Sequence, residues 1–182
     1  MRKLRCFEHI SLDGVIQVRA SGEDGEYPYG GWSKPYFDPE LGKAIGAAHS
    51  EPFDLLLGRR TYDIWSGFWP TAPKSPMADA INGATKYIAT HRRDSLTWGP
   101  ADGPQLIVWG SSMLTPVLLE HELADEILLL VFPVLLGTGK RIFSDGTPPR
   151  EFKLVSSKAV ASGVIISAYK PNGPLRSGTM GA

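Results

Sequence analysis

Cysteine is almost missing from this chain: Cys6 stands alone in 182 residues. One thiol can build neither an internal disulfide framework nor a Cys-rich metal site. An excess of either charge is missing too, since nineteen Lys and Arg balance nineteen Asp and Glu. No global field therefore draws the chain to nucleic acid or to anionic lipid, and anion binding has to come from local placement. No apolar run approaches the roughly 18 residues that span a bilayer. The longest, Ile127 to Leu136, is strand-like and broken by Pro133. The basic start, Met1 to Arg5, reaches Glu8, His9 and Asp13 too soon for the apolar region of a signal peptide. The expectation is a cytoplasmic protein with no membrane and no nucleic-acid partner.

Several site motifs are also missing. His9, His49, His91 and His121 have neither H-x-x-x-H spacing nor paired carboxylates, so no metal site is expected and most are read as surface or cap residues. No G-x-S-x-G nucleophile elbow occurs. Gly137-Thr138-Gly139-Lys140 lacks the spacing of a P-loop and fails the last glycine of the dinucleotide fingerprint. It reads as a strand-to-strand turn, and a standard Rossmann domain is not expected.

What is present is a regular alternation. Arg5 to Ile10 reads as a strand closed by Leu12-Asp13-Gly14, and Val15 to Val18 as its continuation. Arg19 to Pro35 has no period and reads as a long loop. Asp38 followed by Pro39 marks a helix start, with Leu41, Ile45 and Ala48 on one face to Ser50. Strand-like runs at Asp54–Leu57, Lys86–Ala89 and Gln105–Trp109 alternate with helical spacing over Arg60–Phe68 and Ser112–Glu122. Glu126–Leu136 reads as a long strand, and Phe152–Val160 with Val164–Tyr169 as a terminal hairpin. The order implies an α/β fold: one mainly parallel, mixed sheet flanked by helices, with an antiparallel hairpin at the end. One domain over residues 1–170 is expected, followed by a flexible Gly-, Pro- and Ser-rich tail over 171–182. The apolar Ile127–Leu136 run, taken as lying near the sheet's edge, is a candidate homodimer interface.

Three strands end in glycine or small residues followed by polar groups: Gly58-Arg59-Arg60-Thr61, Thr90-His91-Arg92-Arg93 and Gly110-Ser111-Ser112. In open α/β sheets ligands sit beyond the carboxyl ends of strands. Helix-opening N–H groups favour phosphate, and arginine adds charge-assisted contacts. Each turn alone is an ordinary cap or a wet basic loop; together they describe a dinucleotide-phosphate site.

Ser11-Leu12-Asp13-Gly14-Val15-Ile16, Leu57-Gly58-Arg59-Arg60-Thr61-Tyr62, Lys86-Tyr87-Ile88-Ala89-Thr90, Trp109-Gly110-Ser111-Ser112 and Asp125-Glu126-Ile127 through Gly139 occur in an order that resembles the dihydrofolate-reductase-like family, which includes the riboflavin-pathway reductase C-terminal domain. The resemblance covers Leu4 to Lys170. It implies NADPH as cofactor. Arg59 and His91 or Arg92 then approach the 2′-phosphate, and Arg60 and Thr61 offer N–H groups to the pyrophosphate. Thr90 lies beside adenosine, Gly110, Ser111 and Ser112 hold the other phosphate side, and Gly58 is a further cofactor-binding residue. The backbone around His9 and Ile16 borders the nicotinamide, and Asp13, the acidic residue of the first turn, is the candidate catalytic residue, orienting substrate or the loop. Phe7 stands where riboflavin-pathway enzymes carry lysine, and Gly110-Ser111 where dihydrofolate reductases carry Gly-Gly. The implied activity is NADPH-dependent reduction of a small heterocycle, pterin- or pyrimidine-like. The alternative is a non-catalytic NADP-nucleotide-binding protein of the same fold. In the first case the loop Arg19–Pro35, with Tyr27, Tyr29 and Trp32, is a candidate lid.

Overall fold

The computed structural model describes residues 3–18, 26–91 and 106–177. Seven strands form one sheet: β1 (Leu4–Ile10), β2 (Asp54–Gly58), β3 (Lys86–Ala89), β4 (Leu106–Trp109), β5 (Glu126–Val131), β6 (Arg150–Ala159) and β7 (Ile165–Pro174). Their spatial order is β3-β2-β4-β1-β5-β7-β6. The first five run parallel, and the hairpin β6–β7 joins antiparallel through β7 against β5. This is the expected α/β architecture, with the antiparallel pair last.

Four helices flank the sheet: α1 (Pro39–Ala48), α2 (Arg59–Ser66), α3 (Pro76–Gly83) and α4 (Leu114–Glu120). Strand alternation explains the two cores. Phe7 of β1, Ile107 of β4 and Leu55 and Leu57 of β2 pack with Leu41, Ile45, Tyr62 and Ile81 of α1 to α3. Cys6, Val108 and Ile127 pack on the other face with Leu118 and Leu119 of α4. The start of α1 is as the sequence implies: the Asp38 carboxylate accepts from the Leu41 N–H at 2.7 Å, and Pro39 occupies the first turn. Among the described residues no helix is long and apolar enough to cross a membrane.

Four expectations change. The long β run stops at Val131, because Pro133 cannot supply the next ladder N–H. β5 lies between β1 and β7 and is therefore no edge; the outer strand on that side is β6. Val15 makes a single bridge to Arg141 rather than continuing β1. The domain also runs past Lys170: β7 continues to Pro174 and pairs with β6 as far as Arg150. β5 pairs β7 only over Ile165–Tyr169, so Pro171 and Pro174 sit where no inner partner needs their missing N–H. Arg176 closes this end on the Glu151 carboxylate.

Candidate functional site

The carboxyl ends of β1, β2, β3 and β4 open onto a cleft of about 1100 Å³. Gly58, Arg59, Arg60 and Thr61 line it from β2 into α2; Thr90 and His91 line it beyond β3; Gly110, Ser111 and Ser112 line it beyond β4. His9 and Ile16 complete the wall from the first strand and turn. Every described residue named as a cofactor contact therefore borders one space. Arg92 lies outside the described residues.

Local chain geometry explains the convergence. An added Cβ at Gly58 would sit 2.8 Å from Ser111 Oγ. Only glycine lets the β2 and β4 turns approach this closely. Gly110 and Ser111 both have left-handed backbones, at φ 66° and 78°, and no cis peptide occurs among the described residues. The turn is thus made by two successive left-handed residues. A serine in that region is uncommon, and its hydroxyl compensates by accepting from the Leu114 N–H at 3.1 Å. Arg59 is fixed along α2 by an ion pair from Nε to Asp63 Oδ1 at 2.7 Å. The Ile16 N–H donates to the Lys140 carbonyl at 2.8 Å, which sets the Ile16–Val18 wall beside Lys140.

His9 sits among rings, with centroids 5.4 Å from Trp109, 5.5 Å from Phe132 and 5.6 Å from Phe37. Its Nε2 is buried without a partner. Burial, with His49 nearby, pushes the imidazole down to about 4, so it is neutral at physiological pH. His49 is the C-cap of α1 and is buried. Its Nδ1 meets the Ile45 carbonyl at 2.8 Å and its Nε2 accepts from Trp109 Nε1 at 3.1 Å. That chain fixes the face Trp109 turns to the cleft.

Asp13 is not in the cleft. Its carboxylate accepts from Ser11 Oγ at 2.7 Å and from the N–H groups of Leu136 and Gly137 at 3.2 and 2.9 Å. The Ser11 hydroxyl first, and then these amides, hold it below the usual carboxylate range. It ties the first turn to the Leu136–Gly137 segment. The lid aromatics are also anchored elsewhere: Tyr27 Oη donates to the Thr138 carbonyl at 2.9 Å, and Trp32 Nε1 to the Gln17 carbonyl at 2.8 Å. Residues 19–25 of that loop lie outside the described residues.

Sequence reasoning missed Glu8, Trp109, Lys140 and Trp65, all of which line the cleft. For Glu8 a signal existed: it is a lone acid inside the apolar run of the first strand.

Residues 99–166 match the family model described as the RibD C-terminal domain. The chain is 23% identical over 184 residues to the uncharacterized protein YyaP of Bacillus subtilis (strain 168), covering 90% of this chain and 92% of that one. A putative riboflavin biosynthesis protein from Shewanella sp. PV-4 superimposes with a TM-score of 0.61 at 16% identity, over 93% of this chain and 99% of that one. Acinetobacter baumannii RibD gives a TM-score of 0.65 at 17% identity, with 94% of this chain covering 58% of that longer one. A pyrimidine reductase-like protein from Corynebacterium diphtheriae gives 0.57 at 12% identity, over 97% of this chain and 93% of that one. Residues 99–166 are thus similar in sequence to the RibD C-terminal domain, and the chain shares the dihydrofolate-reductase-like architecture of the RibD structures.

Proposed function

We propose that the protein is an NADPH-dependent reductase of a small flat heterocycle, pterin- or pyrimidine-like. One observation carries this reading: three chemically suitable turns, distant in sequence, border a single cleft at the carboxyl ends of β2, β3 and β4. The fit to a dinucleotide is good on three counts. The volume suits a large ligand. Gly58 and Gly110 let the β2 and β4 turns close on each other at the cleft, where a Cβ would meet Ser111 Oγ at 2.8 Å and Thr61 Oγ1 at 3.2 Å. Buried polar atoms of Glu8 and His9 lack protein partners there.

In this reading Arg59 and His91 face the 2′-phosphate, and Arg60 and Thr61 face the pyrophosphate. Ser111 and Ser112 hold the opposite phosphate side, Thr90 flanks adenosine, and His9 and Ile16 border the nicotinamide. The cofactor, when bound, supplies the hydride, while the chain binds, orients and excludes water. The rings around His9 suit a flat substrate, and the fold shared with a pyrimidine reductase-like protein supports the same class.

The test is NADPH oxidation, followed by absorbance, with a panel of oxidised pterins and pyrimidines. At least one member is expected to accelerate oxidation saturably. Nucleotide binding without acceleration by any member would leave the non-catalytic nucleotide-binding reading in its place.

A further inference from the structure

Glu8 is the deepest acid of the cleft, and the assignment above gives it no contact with the ligand. It lies on the central strand, only 4% exposed, yet it lines the cleft. Its carboxyl accepts the Gly110 N–H, while Oε1 has no hydrogen-bond partner. None of the ion pairs among the described residues includes it. A buried carboxylate with one amide and no cation is costly, and such a group keeps its proton instead. Burial accordingly holds the Glu8 acid well above the usual carboxylate range. A protonated carboxyl has an O–H to donate.

The unpartnered oxygen lies beside the β4 turn. A Cβ at Gly110 would come 3.9 Å from Glu8 Oε1 and 3.2 Å from Thr61 Oγ1. Gly110 is therefore where Glu8, Thr61 and the β4 turn meet. An ionised carboxylate in that corner would repel a phosphate; a neutral acid can bind one.

We propose that Glu8 is a further binding residue of this cleft, a neutral carboxylic acid whose O–H donates to a phosphate oxygen of the bound dinucleotide. The inference deepens the nucleotide reading and rests on it. On β1 the neighbouring titratable groups are Cys6, pushed up to about 12 by burial with Glu8 adding, and His9, pushed down to about 4. α2 presents Arg59, Arg60 and Asp63 to the same space; Lys140 and His91 face it from the loops. β5 sets Leu129 beside Glu8 in register, and α4 adds Leu114 and Val117 to the lining. All of these are common to wild type and Glu8→Gln, so a difference between their pH profiles belongs to Glu8.

The experiment combines infrared difference spectra with NADPH titration of wild type, Glu8→Gln and Glu8→Leu. A carboxylic-acid C=O band absent from Glu8→Gln is expected at neutral pH, moving to lower frequency when NADPH binds. Glu8→Gln, which keeps a neutral donor, should bind within about twofold of wild type at pH 7; Glu8→Leu should lose about tenfold, one hydrogen bond's worth. Wild-type affinity should fall as pH rises through the Glu8 titration, because ionisation removes the donor and adds a like charge; Glu8→Gln should stay flat. An ionised Glu8 at neutral pH, a band unmoved by saturating NADPH, or wild-type affinity in Glu8→Leu would overturn the proposal. If wild type fails to bind NADPH, the nucleotide reading falls, and inorganic pyrophosphate takes its place in the same series. A band shift with pyrophosphate would then sustain the role of Glu8 at an anion site, and no shift would end it.

Discussion

Gly139→Ala is expected to destabilise the fold by about 3 kcal/mol, a combination of overpacking and backbone strain. Gly139 has φ 121°, outside the region open to residues with a side chain. A Cβ there would lie 2.6 Å from Val15 Cγ1 and 3.1 Å from both Cε2 and Oη of Tyr27. Neither neighbour can give way cheaply. Val15 is fully buried, and its N–H donates to Ser11 Oγ at 2.9 Å. Tyr27 is 4% exposed and donates to the Thr138 carbonyl at 2.9 Å. For a chain of this length the loss corresponds to a melting point about 10 °C lower. Gly137→Ala is the control: it shares a positive φ, 75°, but has nothing within 4 Å of its added Cβ. It should lose about 1 kcal/mol, the backbone penalty alone. A Gly139→Ala protein melting with wild type would contradict this packing account.

Arg59→Ala is expected to weaken NADPH by about 10- to 100-fold, the range for a charge-assisted contact, and NADH by less than about threefold. Arg59 opens α2 directly after Gly58 and lines the cleft, and its Nε is held by Asp63. That ion pair gives the guanidinium a fixed orientation, which suits recognition of a 2′-phosphate present only in NADPH. Asp63→Asn separates charge from scaffold, since it breaks the pair and keeps the cation; it should weaken NADPH by less than Arg59→Ala does. Calorimetric titration of both nucleotides against the three proteins decides the matter. An equal loss for NADPH and NADH would move Arg59 from the 2′-phosphate to a group the two nucleotides share.

Much of the frame was legible because its signals are local. Asp38-Pro39 announces a helix by capping chemistry, and Gly58 and Gly110 announce turns that end strands. Other features depend on distant partners. Ser75 caps α3 through the Ala78 N–H at 3.1 Å, but the short stripe of Ala78 and Ile81 gave too little periodicity to reveal the helix. The interior position of β5 follows from strand order, which no local run encodes. That the Asp13 carboxylate accepts from the Leu136 and Gly137 amides, 123 and 124 residues away, has no local signal in the sequence. Tyr27 and Trp32 read as lid aromatics until their polar atoms are traced to Thr138 and Gln17. Glu8 and His9 leave β1 on opposite faces, as alternation requires. That both still reach the cleft follows from their place at the carboxyl end of the strand.

The central claim is that this cleft holds NADPH, and two tryptophans make it directly observable. Trp65 and Trp109 line the cleft, and tryptophan emission overlaps reduced-nicotinamide absorption. The decisive measurement excites tryptophan and reads nucleotide emission during NADPH addition, with NADP⁺ as a non-fluorescent competitor. The account predicts sensitised emission that saturates, falls on competition and is weakened in Arg59→Ala. Emission that never saturates, or saturable emission unaffected by competitor and by Arg59→Ala, would contradict it.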